Sequence, residues 1–277
     1  MRIGRFWEEI FKKAKNIFIV SNRKRENIRR IDSLQLLSTV IGINERLGYP
    51  PFSNDGQYLD VYSFYDMLEV LGSPRDDAQN LFTVRMLLLL ESRPIFNEKL
   101  YISKIKEILE HKYFRDSSGK DSFRPLFLVN DILRYWRTVC LNYELIRNDR
   151  DRPWRKKNIN LKFSRMLTVF GTILPLIAKP ASTQECVEKL IRFTPLERFA
   201  AGLDHLDDDS IADKFMDFLG IYEEFLVLKE EMGQKERLSD PFIDKKTRDM
   251  AKEFSWFLHE CLTHKNINEE YRKYLIL

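Results

Sequence analysis

The chain is poor in the residues that mark several protein classes. It has 3 cysteines in 277 residues, Cys140, Cys186 and Cys261. An odd count at wide, irregular spacing excludes a disulfide framework and a CxxC metal site, and it points to reduced thiols in a cytoplasm. Gly and Pro number only 10 each, which excludes collagen-like and low-complexity chains. No apolar run reaches the roughly 20 residues that a membrane-spanning helix needs. The most apolar stretch, Met166 to Ala178, is short and holds Gly171 and Pro175. The opening MRIGRFWEEIFKKAK alternates charge with aromatics and has no continuous apolar core, so it does not read as a secretory signal. GxGxxG, P-loop and GxSxG motifs are missing. The expectation is a cytoplasmic protein that engages no membrane.

What is present is a globular composition. With 44% hydrophobic and 13% aromatic residues the chain is not disordered. A chain this long buries roughly 75% of its unfolded surface, enough for one large domain or two smaller ones. The 46 Lys+Arg nearly cancel the 42 Asp+Glu, so the net charge of +4 is a weak guide to partners. The charges are segregated, however. Residues 1–30 carry ten Lys/Arg and three acids, residues 147–165 eight Lys/Arg and two Asp, and residues 202–240 twelve acids and four Lys/Arg.

Helical periodicity dominates. Phe6, Trp7, Ile10, Phe11 and Ala14 form one stripe of a short basic helix at 5–15. NIFIV (16–20) and QYLDVY (57–62) read as strands, the second following the turn Asn54-Asp55-Gly56. Between them a helix capped by Ser21 or Asn22 carries Ile28, Ile31, Leu34, Leu37 and Ile41 and stops at Gly48. Helices are then expected from Ser63 to Gly72, from Ser73-Pro74 to Ser92, and over about 97–114, 125–147, 158–178, 183–193, 195–204, 210–232 and 241–264, with one more in the tail. The expected fold is mainly α: about ten helices and a small two-strand N-terminal element, divided as 1–72 and 73–277.

The stretch 123–165 is the most informative for chemistry. Asn130, Arg134, Arg137 and Leu141 share one helical face, and Asp131 and Arg134 are spaced for an i,i+3 pair. After the loop DRDRPW (149–154) come Lys156 and Lys157, then Lys162 and Arg165 three apart. Lysine as a point charge and arginine as a planar fork suit a polyphosphate. A solvated basic loop, partly neutralised by Asp149 and Asp151, is the blander reading. Trp154 and Phe163 suit stacking on bases or packing in a core. The four histidines are scattered: His259 and His264 are five apart, off the i,i+4 spacing of helical ligands. His205 lies in the acidic DHLDDD (204–209), which suits a hydrated loop before a helix N-terminus. Arg198 and His205 are separated by six residues, a spacing found in helical ribonucleases and frequent by chance.

FSNDGQYLDVY (52–62), LGSPRDDAQNLFTVRMLLLLES (71–92), FRPLFLVNDILRYWRTVCLNYE (123–144) and KKNINLKFSRMLTVFGT (156–172) together resemble the bacterial nucleotidyltransferases of the polymerase-β-like superfamily, over roughly residues 16–178. The resemblance implies a small mixed sheet with a Gly-Ser turn and an Asp-x-Asp pair, a third carboxylate on a later strand, and a helical domain that closes over the nucleotide. The carboxylates of that superfamily hold two divalent metals that align the attacking hydroxyl and the α-phosphate. By the same resemblance, nucleotide-facing cations are sought among Lys156, Lys157, Lys162 and Arg165, with Arg134 and Arg137 beside them.

The chain departs from that pattern at its first strand. NIFIV carries no Asp-x-Asp in or just before it, and the only Gly before Gly42 is Gly4, followed by Arg5. Asp60 is read either as the third carboxylate or as an exposed strand residue. The first expectation is therefore a truncated nucleotidyltransferase-like protein, inactive alone, that keeps affinity for a nucleoside triphosphate or RNA. The second is an active, Mg-dependent enzyme completed by a partner or an upstream segment. The third is a helical interaction or scaffold protein whose exposed strand edges and apolar surface meet a protein partner or a second copy, with helix 5–15 as an alternative cover.

Overall fold

The computed structural model describes residues 19–48, 52, 56, 59–94, 97–118, 123–147, 158–178, 182–234 and 241–275. Among them are twelve α-helices and a two-stranded parallel sheet, so the protein is mainly helical. The chain divides into two compact units, one ending at Arg85 and the other starting at Met86.

In the first unit β1 (Ile19–Ser21) pairs with β2 (Val61–Ser63), Ile19 opposite Val61. Parallel strands need a crossover, and α1 (Arg30–Arg46) supplies it. Both strands run one residue past their expected ends, to Ser21 and Ser63. Asp60 precedes β2 rather than sitting in it, because its Oδ1 accepts the Val61 N–H at 2.7 Å and bends the chain there. The cap of α1 also differs from expectation. A 3-10 turn, Arg25–Asn27, comes first, and the Ser21 hydroxyl accepts the Arg23 N–H at 3.1 Å. Arg29 takes the N-cap position with no side-chain bond. Of α1 only Asn44 is buried, while Ile31, Leu34 and Ile41 stay exposed.

Ser63 caps α2 (Phe64–Glu69), accepting the Asp66 N–H at 3.1 Å. The single helix expected over 73–92 is broken into α3 (Pro74–Ala78) and α4 (Leu81–Leu90). Asn80 adopts φ +57° at the break, a conformation asparagine tolerates. In one straight helix Asp76 and Arg85 would stand about 13 Å apart along the axis at 1.5 Å per residue. The break lets them meet at 2.8 Å with no exposed side-chain surface.

The boundary at Met86 falls within α4; the second unit continues with α5 (Glu98–Ile108), capped by Asn97, which runs on as a π turn, Leu109–Tyr113. Then come α6 (Leu126–Arg147), a π turn Leu161–Arg165 that leads into α7 (Met166–Ala178), α8 (Gln184–Arg192) and α9 (Pro195–Leu203). The long α10 (Asp209–Gln234) and α11 (Pro241–Leu262) follow, then the short α12 (Glu269–Arg272). The Thr194–Glu197 capping box, with Pro195 in the first turn, fixes the start of α9.

The core forms where α7 meets α9. A Cβ on Gly171 would lie 3.0 Å from the Pro195 carbonyl oxygen, and one on Gly202 2.7 Å from Leu174 Cγ. Glycine at both positions permits this close approach. Phe199, Phe218, Phe254 and Phe257 pack beside it, with Phe163 stacked on Phe225 at 4.6 Å. Because the π turn extends α7 backwards, Asn158–Ala178 forms one run of 21 residues with mean hydropathy 1.4. By length and composition that run is sufficient to cross a membrane, unlike residues 166–178 alone, yet 61% of its apolar window is buried inside the protein.

Candidate phosphate-binding site

Both π turns pack against α6. Such turns arise mostly as single wide turns, often at functional sites. Tyr113, in the first, donates its hydroxyl proton to Asp131 Oδ2 at 2.8 Å. Asp131 in turn pairs with Arg134 at 3.7 Å. Arg165, at the end of the second, donates from Nη1 to Glu91 Oε1 and to the Tyr135 hydroxyl oxygen, the latter at 3.0 Å. Tyr135 donates to Glu91 at 2.8 Å. Burial pulls the Arg165 pKa down, but Glu91 and Tyr135 outweigh it and leave it above the ordinary arginine value. Among the described residues, Arg165 Nε and Nη2 have no protein partner. The side chain is 34% exposed, so these donors reach solvent.

The sequence candidates thus separate. Lys162 and Arg165 share the second π turn, whose wider winding splays residues three apart more than an α-helix does. Arg137 lies elsewhere. At about 100° per residue it sits roughly 200° around α6 from Tyr135, on the outer face with Leu141, and it is exposed. Arg134 lies on that outer face too, held by Asp131. Lys156, Lys157 and Trp154 fall outside the described residues, as does the helix expected at 5–15. Phe163 is in the core, 1% exposed, so it is not a stacking platform. Asp60 is half-buried and belongs to the first unit. Among the described residues no three of His, Cys, Asp and Glu gather as a metal site.

Arg198 and His205 do not form a ribonuclease-like pair. Arg198 is fully buried and donates to the carbonyls of Leu90, Leu190 and Ile191 and to the Thr172 hydroxyl, at 2.7–3.2 Å. It therefore ties together the C-terminal ends of α4 and α8, where helix carbonyls lack partners. His205 is exposed. His264 is instead drawn to Asp208, Nε2 to Oδ2 at 3.1 Å, while its Nδ1 accepts the Asn266 N–H at 3.3 Å. A ring whose Nδ1 accepts from a backbone amide carries its proton on Nε2, so it has no lone pair to offer as a base. The Ser210 hydroxyl donates to the same Asp208 at 2.6 Å, not to the histidine, so the three form a structural clip rather than a nucleophile–base relay.

Glu91 and Tyr135 were not singled out by the sequence. The available signal was one acid, Glu91, directly after the apolar block MLLLL, where burial demands a cationic partner. A cleft of about 140 Å³ between Tyr101, Ile105, Glu188 and Arg192 and another beside Lys245, Lys246 and Glu253 contain none of the candidate cations. No protein family, curated protein or solved structure matches this chain.

Proposed function

We propose that the chain is a nucleotidyltransferase-like module that binds a polyphosphate, as a nucleoside triphosphate or an RNA backbone, at the π turn Leu161–Arg165, and that these 277 residues do not catalyse nucleotidyl transfer by themselves. The observation that carries this reading is the anchored guanidinium of Arg165. Glu91 and Tyr135 hold Nη1 and so fix the plane, and the remaining edge presents two donors outward. A pre-oriented fork loses less freedom on meeting an anion than a loose side chain does. The eight Lys/Arg between residues 147 and 165 add a sequence-independent attraction for polyanions that falls with salt. Transfer would need carboxylates to hold two metals, and the first strand brings no Asp-x-Asp pair.

The test is fluorescence anisotropy with a labelled ATP analogue and a short RNA at two salt concentrations. Arg165→Ala and Lys162→Ala are expected to weaken binding, with a steep loss in high salt. Unchanged affinity in both variants defeats the proposal. Incorporation of labelled nucleotide by the purified chain with Mg would defeat the non-catalytic half of it.

A further inference from the structure

Two exposed helix faces in the second unit complement one another. On α6, Phe127, Arg134, Arg137, Leu141 and Leu145 recur at helical spacing along one outer face, with Glu144 at its edge. Leu141 and Leu145 are 70% and 75% exposed. On α10, Asp213, Met216, Gly220, Glu223 and Val227 recur likewise, with Met216 67% exposed. Large apolar side chains left exposed in this way, interleaved with charge, suit an interaction surface.

We infer that α6 of one copy docks antiparallel on α10 of a second copy, with Leu141 seated over Gly220. A Cβ at Gly220 meets nothing within 4 Å, so the helix surface has a notch there. At about 1.5 Å per residue, the neighbours on either side of that contact fall into register. Leu145 lies about 6 Å from Leu141 along α6, and Met216 lies about 6 Å from Gly220 in the matching direction. Arg137, about 6 Å the other way, meets Glu223, about 4.5 Å from Gly220. Charge favours a second copy over other partners. From Asp209 to Glu230, α10 carries six acids and two lysines, and Asp204, Asp207 and Asp208 precede it. In the antiparallel order Leu145 meets Met216 and Arg137 meets Glu223, whereas the parallel order would set Leu145 against Glu223 and Arg137 against Met216. Arg137, Asp213 and Glu223 are exposed and have no partner among the described residues, so the contact breaks no existing ion pair.

Light scattering of the full chain across a concentration series tests this. The wild type is expected to associate, less so in high salt. Gly220→Leu fills the notch without touching the fold, so it should leave circular dichroism intact, keep or raise the melting temperature as a better helix former, and weaken association about tenfold or more. Arg137→Glu and Glu223→Arg should each weaken it alone, and an equimolar mixture of the two variants should restore it. A wild type that stays monomeric at all concentrations overturns the inference. So does association that ignores Gly220→Leu, or a mixture of charge variants no better than either alone.

Discussion

Asp76 and Arg85 meet across the break between α3 and α4 as a two-pronged ion pair, Nη1 to Oδ1 at 3.0 Å and Nη2 to Oδ2 at 2.8 Å. Asp76 also accepts the Gly72 N–H at 3.2 Å, and Arg85 donates to the Met67 carbonyl at 3.3 Å. The pair thus joins four points of the first unit. Removing one member leaves an uncompensated buried charge. Asp76→Asn or Arg85→Met should cost about 3–5 kcal/mol, read as a lower urea midpoint. The double variant should recover part of that loss; a double variant as unstable as the sum of the singles would argue against the coupling.

Two glycines should respond in opposite directions to alanine. Gly202 faces Leu174 with no room for a methyl group, so Gly202→Ala should destabilise by about 1–3 kcal/mol through overpacking. Gly220 faces open space on the exposed side of α10, so Gly220→Ala should stabilise by roughly 0.5–1 kcal/mol. Thermal melts of both variants at a fixed low concentration distinguish these signs.

The Asp208 clip makes part of the acid stability depend on its carboxylate. The Ser210 hydroxyl, His264 and the Ser210 amide lower its pKa from 3.8 to about 2. Between those values the unfolded chain binds more protons than the folded one, so this contribution is full above pH about 4 and fades as pH falls toward 2. Asp208→Asn should flatten the stability profile across that window and leave its slope above it unchanged. An unaltered acid limb would count against the assignment.

The thiols should differ in reactivity. Burial, then Glu260, push Cys261 up to about 12, and burial, then Glu144, raise Cys140. The thiolate is the reactive form. Timed alkylation at pH 8 followed by mass spectrometry should mark half-buried Cys186 and Cys140 in the native protein, with Cys261 labelled only after denaturation. Early labelling of Cys261 would show that the core opens there.

The Glu91 carboxylate on Nη1 offsets the positive charge that an anion would meet at the outer edge of Arg165. If the π turn binds phosphate, Glu91→Gln should raise affinity for the labelled nucleotide several-fold and Tyr135→Phe should change it less, because only the first releases a charge. Lower affinity in Glu91→Gln would mean that anchoring the guanidinium matters more than freeing it.

Local patterns carried most of the helical layout. Thr194, Pro195 and Glu197 announce the start of α9, and Asn97 and Ser63 stand where their helices begin. The 73–92 stretch misled because its apolar spacing continues through Asn80; the left-handed residue becomes visible only once Arg85 finds Asp76. The candidate cations were legible as a charge run. Their separation was not, since Arg137 and Tyr135 differ by only two positions yet look out from opposite sides of α6.

The sequence by itself determined a mainly helical protein with two short strands and clustered charge, because periodicity, caps and composition act over a few residues. Tertiary structure alone decided which charges are occupied and which are open. Arg198 lies sealed under helix ends, Arg165 is half claimed by Glu91 from 74 positions away, and His264 is turned toward Asp208. Such assignments depend on which elements meet in space, and in a buried setting the nearest opposite charge or carbonyl prevails over anything the neighbouring residues could specify.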